Sequence, residues 1–287
     1  MRFLIALVAM CFTACGTVEA TEKFLPENDL WMEDGFAAND MTEAIFNSTM
    51  QTFQRVYGPV VAKRGATLQI TGDWNDSTVN AYAEQQGNLW MVRMYGGLAR
   101  RAEVTQDGFA MVIGHELGHH LGGFPTYPYE WAAAEGQSDY FATHAAAKLA
   151  WPLNSTPTPP PECAKFTAYP PNVITKCNVP YASNEERNLC YRSIVAGTSL
   201  GTLLARLNGE PVPNIDTPDK TIVAQTNTSY PRTSQSRLDS MVNGSLCPIR
   251  WNDAVIPVNE LQSVSYLCSL KKYPEYARPR SWFKPNL

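Results

Sequence analysis

At 287 residues the chain is long enough to bury a full core, and 44% apolar, 17% charged and 11% aromatic content exclude a disordered chain. A net charge of −4 with no long basic run excludes the electrostatic footprint of a nucleic-acid binder. Beyond the first twenty residues no stretch is apolar enough to predict a membrane span.

Those twenty residues, MRFLIALVAMCFTACGTVEA, carry one Arg, an apolar run from Phe3 to Ala14 and a small-residue end, the pattern of a signal peptide over 1–20. Val18-Glu19-Ala20 fits cleavage after Ala20. Phe12-Thr13-Ala14-Cys15 resembles a lipobox, which would make Cys15 a lipid anchor, although Phe12 departs from the usual Leu or Val. Either route predicts an exported protein, periplasmic, outer-membrane-associated or secreted. Cys163, Cys177, Cys190, Cys247 and Cys268 remain past the leader. Export makes disulfides the expectation for them, with the pairing left open.

Asp40 to Arg55 reads as a helix, with Asp40 and Glu43 in capping-box positions. Strands are predicted at Ala66–Thr71, Thr78–Glu84 and Leu89–Tyr95, the last two joined by the Gln-Gln-Gly-Asn turn in a small, mainly antiparallel sheet. Thr105 caps a helix running to Leu121 that Gly122-Gly123 stops, and an Ala-rich helix spans Glu130 to Trp151. From Asn154 to Pro180 the composition turns to Pro, Thr and Ser, a linker or surface loop, and a further helix is expected from Asn184 to Leu207. The expected organisation is thus a core over 21–152, a Pro-rich linker over 153–183, and a helical and irregular part over 184–287 packed on that core.

His115-Glu116-Leu117-Gly118-His119 lies inside the first of the paired helices, so its imidazoles project from one face a turn apart, a spacing that suits one tetrahedral zinc ion. Glu116, on a neighbouring face, is placed to act as general base on the attacking water. No third His stands at the HExxHxxGxxH spacing. Glu135, with Asp139 four residues on, supplies the alternative: Glu135 completes a His₂Glu set, and Asp139 accepts the outer N–H of a ligand imidazole. His120 points about 100° away from His119 and is expected to be exposed or locally bonded, and His144 is expected to be structural. Phe124, Tyr127, Tyr129 and Trp131 are candidates for a substrate pocket or for packing.

From Val79 to Thr143 the run NAYAEQQG, a strand, GGL, VIGHELGHH and EGQSDYFAT resembles the HtpX, Oma and CAAX-prenyl-protease superfamily of gluzincin zinc metallopeptidases, its soluble exported members in particular. The resemblance implies an α+β zinc-peptidase core holding one Zn²⁺. It also implies a peptide or protein substrate bound as an extended strand beside the strand Leu89–Tyr95. In that superfamily a downstream His-Pro and Arg-Leu support the transition state. Tyr230-Pro231 and Arg237-Leu238 stand at the comparable place, making Tyr230 and Arg237 further catalytic candidates. The expected activity is metalloendopeptidase. The competing readings are an inactive zinc-containing peptide-binding protein and a zinc amidase of the cell wall.

Overall fold

The computed structural model describes residues 21–26, 28, 30, 37–128, 131–151, 169–229 and 233–285. The signal peptide, Cys15, Cys163, Tyr129, Tyr230 and most of the expected Pro-rich linker lie outside the described residues.

The chain enters on β1 (Thr21–Lys23), and α1 (Glu43–Ala62) follows. Thr42, not Asp40, caps α1 by accepting the Ile45 amide, and the helix runs past Arg55 because Phe46, Met50, Phe53, Tyr57, Val60 and Val61 continue its buried stripe. β2 (Thr67–Asp73), β3 (Ala81–Gln86) and β4 (Leu89–Tyr95) complete a sheet in the order β1-β3-β4-β2. β3 and β4 form the expected hairpin, with Gly87 at φ 59° in its turn. The β2–β4 pair is parallel and the other two are antiparallel, so the sheet is mixed.

One expectation is overturned here. β4 is flanked by β2 along its whole length and by β3 from Leu89 to Met94, so its backbone has no free edge for a substrate strand.

After the short α2 (Gly96–Ala99) comes α3 (Gln106–Leu121), capped by Thr105 Oγ1, which accepts the Gly108 amide at 2.9 Å. Every α3 residue from Asp107 to Leu121 is buried, so this helix is enclosed all round. α4 (Glu135–Phe141) starts five residues later than predicted, because Ala133 is held in an extended bridge to Thr126. A π-helical turn (Ala142–Ala146) and α5 (Ala147–Ala150) continue it.

Within the segment expected to be a loop, α6 (Pro171–Asn178) forms with Pro171 at its start, where the missing N–H costs nothing. The disulfide Cys177–Cys190 ties α6 to α7 (Asn184–Asn208). α8 (Ser234–Leu246) packs against α4 and α7, and α9 (Glu260–Tyr266) precedes the second disulfide, Cys247–Cys268. Among the described residues no helix is long and apolar enough to cross a membrane.

Candidate metal centre

α3 and α4 approach closely at glycines. A Cβ at Gly118 would stand 2.8 Å from the Ser138 Cα, and one at Gly114 2.8 Å from the Ala146 Cβ, so only hydrogen fits between these backbones. The approach gathers His115, His119 and Glu135, whose ligand atoms all lie within 4.8 Å of one another. His115 Nε2 is 3.3 Å from Glu135 Oε2, and His119 Nε2 is 3.6 Å from Glu135 Oε1. Donors held about 2.0–2.2 Å from one tetrahedral ion stand about 3.3–3.6 Å apart. All three residues are fully buried, and His115 Nε2, His119 Nε2 and Glu135 Oε2 have no hydrogen-bond partner. Buried polar atoms left bare in this way, converging from three side chains of the right chemistry, fit a zinc ion.

The far ring nitrogens are fixed. His115 Nδ1 donates to Asp139 Oδ1 at 2.9 Å, and His119 Nδ1 donates to the Ala133 carbonyl at 2.7 Å with Ser138 Oγ at 3.1 Å. Each contact turns the Nε2 lone pair toward the shared point.

Arg237, on α8, reaches across the fold into this group. Its Nε donates to Asp139 Oδ2 at 2.7 Å, its Nη2 donates to Asp139 Oδ1 at 2.8 Å and lies 3.3 Å from Glu135 Oε2, and its Nη1 donates to the Phe24 carbonyl at 2.8 Å. At 2% exposure it is the countercharge for two buried carboxylates. These contacts engage the guanidinium in holding the site.

Glu116 is 0% exposed, with both carboxyl oxygens unpartnered. Burial pushes its carboxyl up to about 8, with Glu135 and Glu22 adding to the rise and His115 and Arg237 opposing it. Burial works against charge on His115, yet Glu135 and Asp139 outweigh it and lift the imidazole to about 9. Burial brings His119 down to about 3. Glu135 and Asp139 are held below the usual carboxylate range, against burial, chiefly by His115 and Arg237 respectively.

His120 corrects another expectation. It is 2% exposed and stacked between Trp90 and Trp131, its Nε2 donating to the Met91 carbonyl at 3.0 Å while Gln85 Nε2 meets Nδ1 at 3.2 Å. It locks α3 to the β3–β4 hairpin, and Trp131 thereby packs. His144 is structural as expected, bonded to the Tyr266 carbonyl. Tyr127 donates to Glu135 Oε1 at 2.9 Å, joining the site from the aromatic set.

Sequence reasoning misses Glu22 and Phe24. The Phe24 ring meets His115 edge-on at 5.1 Å, and the Glu22 carboxyl is close enough to Glu135 and His115 to feel their charge. No motif flags either.

Comparison with protein-family models matches residues 48–148 to peptidase family M48. No curated protein and no solved structure matches the chain.

Proposed function

Residues 48–148 carry a peptidase family M48 segment, which makes this chain a zinc metallopeptidase, and from that premise we propose that it is an exported endopeptidase with Glu116 as general base. The observation that carries the reading is the convergence of the His115, His119 and Glu135 ligand atoms, the two imidazole Nε2 atoms without hydrogen-bond partners, beside the unpartnered Glu116 carboxyl in a buried space.

Zinc, when bound there, supplies a Lewis acid that polarises the scissile carbonyl and acidifies water. His115, His119 and Glu135 would hold it, one ion per chain. Glu116 takes the proton of the attacking water as the C–O bond forms, and returns it to the leaving amine nitrogen as the C–N bond breaks. Asp139 and Arg237 position the ligand set: Asp139 sets the His115 tautomer, and Arg237 neutralises Asp139 and Glu135. Export rests on the leader, and it favours substrates in the cell envelope or outside the cell.

The test is Glu116→Gln. The variant is expected to keep its zinc and to lose roughly 10²–10⁴-fold in kcat on a peptide library, the usual contribution of a positioned base. Zinc retained with cleavage at the parent rate would transfer the role of base elsewhere. Cleavage of peptidoglycan amides in place of peptides would favour the amidase reading.

A further inference from the structure

We propose that β1 is a resident occupant of the substrate cleft: residues 21–23 hold the sheet edge that an extended peptide must take, and the hydrolytic site opens when they peel from β3. The inference rests on the reading of Glu116 and the metal group as that hydrolytic site.

An extended peptide adds to a sheet through an unpaired edge near the reacting atoms. β4 offers none, being paired on both sides. The outer side of β2 lies at the opposite end of the sheet, packed on α1. There Gln54 already caps it, donating to the Leu68 carbonyl at 3.0 Å and accepting the Ile70 amide at 2.8 Å. The other edge strand is β1 itself, only three residues long; behind it β3, which packs against α3, pairs with β1 in the register Thr21–Glu84, Glu22–Ala83 and Lys23–Tyr82 and would be the edge without it. The chain's own first described residues thus lie where a substrate strand would lie.

Strand alternation turns Glu22 and Phe24 toward the metal group and Thr21 and Lys23 away from it. Glu22 is 8% exposed and Phe24 is fully buried, its ring on His115. His115, whose ring meets Phe24, and Glu116, His119 and Glu135 are each 0% exposed, so no peptide bond reaches them in this arrangement.

The segment is built to separate at one point. The Phe24 carbonyl is held by Arg237, and Leu25 is clasped by Asn80, which accepts its amide at 3.0 Å and donates to its carbonyl at 3.2 Å. Ahead of that double anchor, β1 has only three paired residues. The expected cleavage after Ala20 would make Thr21 a free chain end able to swing out.

The experiment compares three zinc-loaded chains: one beginning at Thr21, one beginning at Phe24, and the Thr21 chain with Glu22→Pro. Phe24 donates its amide to the Ala81 carbonyl at 3.1 Å, so alternation makes Glu22–Ala83 a hydrogen-bonded pair, which proline breaks while keeping the chain at full length. Two readouts are taken: kcat/KM on a fluorogenic peptide library, and the rate of zinc transfer to a chromogenic chelator. The shortened and proline chains are expected to exceed the Thr21 chain at least tenfold in both, and the synthetic peptide Thr-Glu-Lys-Phe-Leu is expected to slow both again. Rates within twofold of the Thr21 chain, or lower, at equal zinc content and melting temperature would make β1 a fixed wall and overturn the proposal. If the shortened chain fails to hold zinc, the proline variant decides. Glu116→Gln in the shortened chain separates the two readings: cleavage that survives it refutes the base assignment, whereas zinc transfer still judges β1 alone.

Discussion

Replacing Arg237 by Met keeps much of the side-chain volume and removes the guanidinium. The change deletes two donated bonds to Asp139, a 3.3 Å contact with Glu135 and the bond to the Phe24 carbonyl, leaving two fully buried carboxylates without their cation. Removing one partner of a buried ion pair costs about 3–5 kcal/mol. For a folded part of this size that corresponds to a fall of about 6–10 °C in melting temperature of the metal-free protein. In the zinc-loaded protein the ion takes over the charge of Glu135, so the fall should shrink to about half, with Asp139 accounting for the remainder. Calorimetry of parent and variant, each with and without zinc, measures all four quantities. A metal-free shift below about 1 °C would show that Asp139 and Glu135 do not depend on Arg237, and the positioning role would have to be withdrawn.

Gly118→Ala places a Cβ 2.8 Å from the Ser138 Cα and 3.0 Å from its carbonyl oxygen, forcing α4 away from α3. A displacement of that kind should cut kcat roughly 100-fold and lower zinc retention on dialysis, and unchanged metal content would refute the close-packing argument. Burial raises the Asp239 carboxyl from 3.8 to about 6, against the Asp219 amide and Gln235 that hydrogen-bond it. The folded state therefore binds the proton more tightly. Stability from this group is present below about pH 4 and is lost as pH rises through about 6, a change of roughly 2–3 kcal/mol. Urea midpoints of the parent against Asp239→Asn at pH 4 and pH 7 should reveal it. Converting both Cys177 and Cys190 to Ser opens a loop of sequence separation 13 and should cost about 3 kcal/mol in the same assay, leaving zinc content unchanged.

The features that neighbouring residues decide are legible in the sequence. α3 runs from the Thr105 cap to Leu121 as predicted, because a capping threonine, an apolar run and a Gly pair all lie close together along the chain. The His115, His119 and Glu135 set follows from helical spacing and the need for a third ligand. Features that distant contacts decide are not legible in this way. The start of α4 depends on Ala133, whose amide bonds the His119 carbonyl and whose carbonyl accepts from His119 Nδ1. Helix geometry alone directs His120 to the surface, since it carries no sign that two tryptophans close over the ring. Strand order is likewise non-local, so the enclosure of β4 is hidden. A strand of only three residues is too short for its alternation to be read from sequence, and it conceals Glu22 and Phe24 altogether.

Arg237 lies 98 residues beyond Asp139 and 213 beyond Phe24, so the hydrolytic centre draws on remote stretches of the polypeptide. A nascent molecule that has emerged only through Trp151 owns both histidines and both acids but lacks the cation that makes their interment tolerable. During synthesis the latent protease should accordingly become competent last, after α8 has left the ribosome. An excised 48–148 fragment, for the same reason, should prove a poor stand-in for the enzyme.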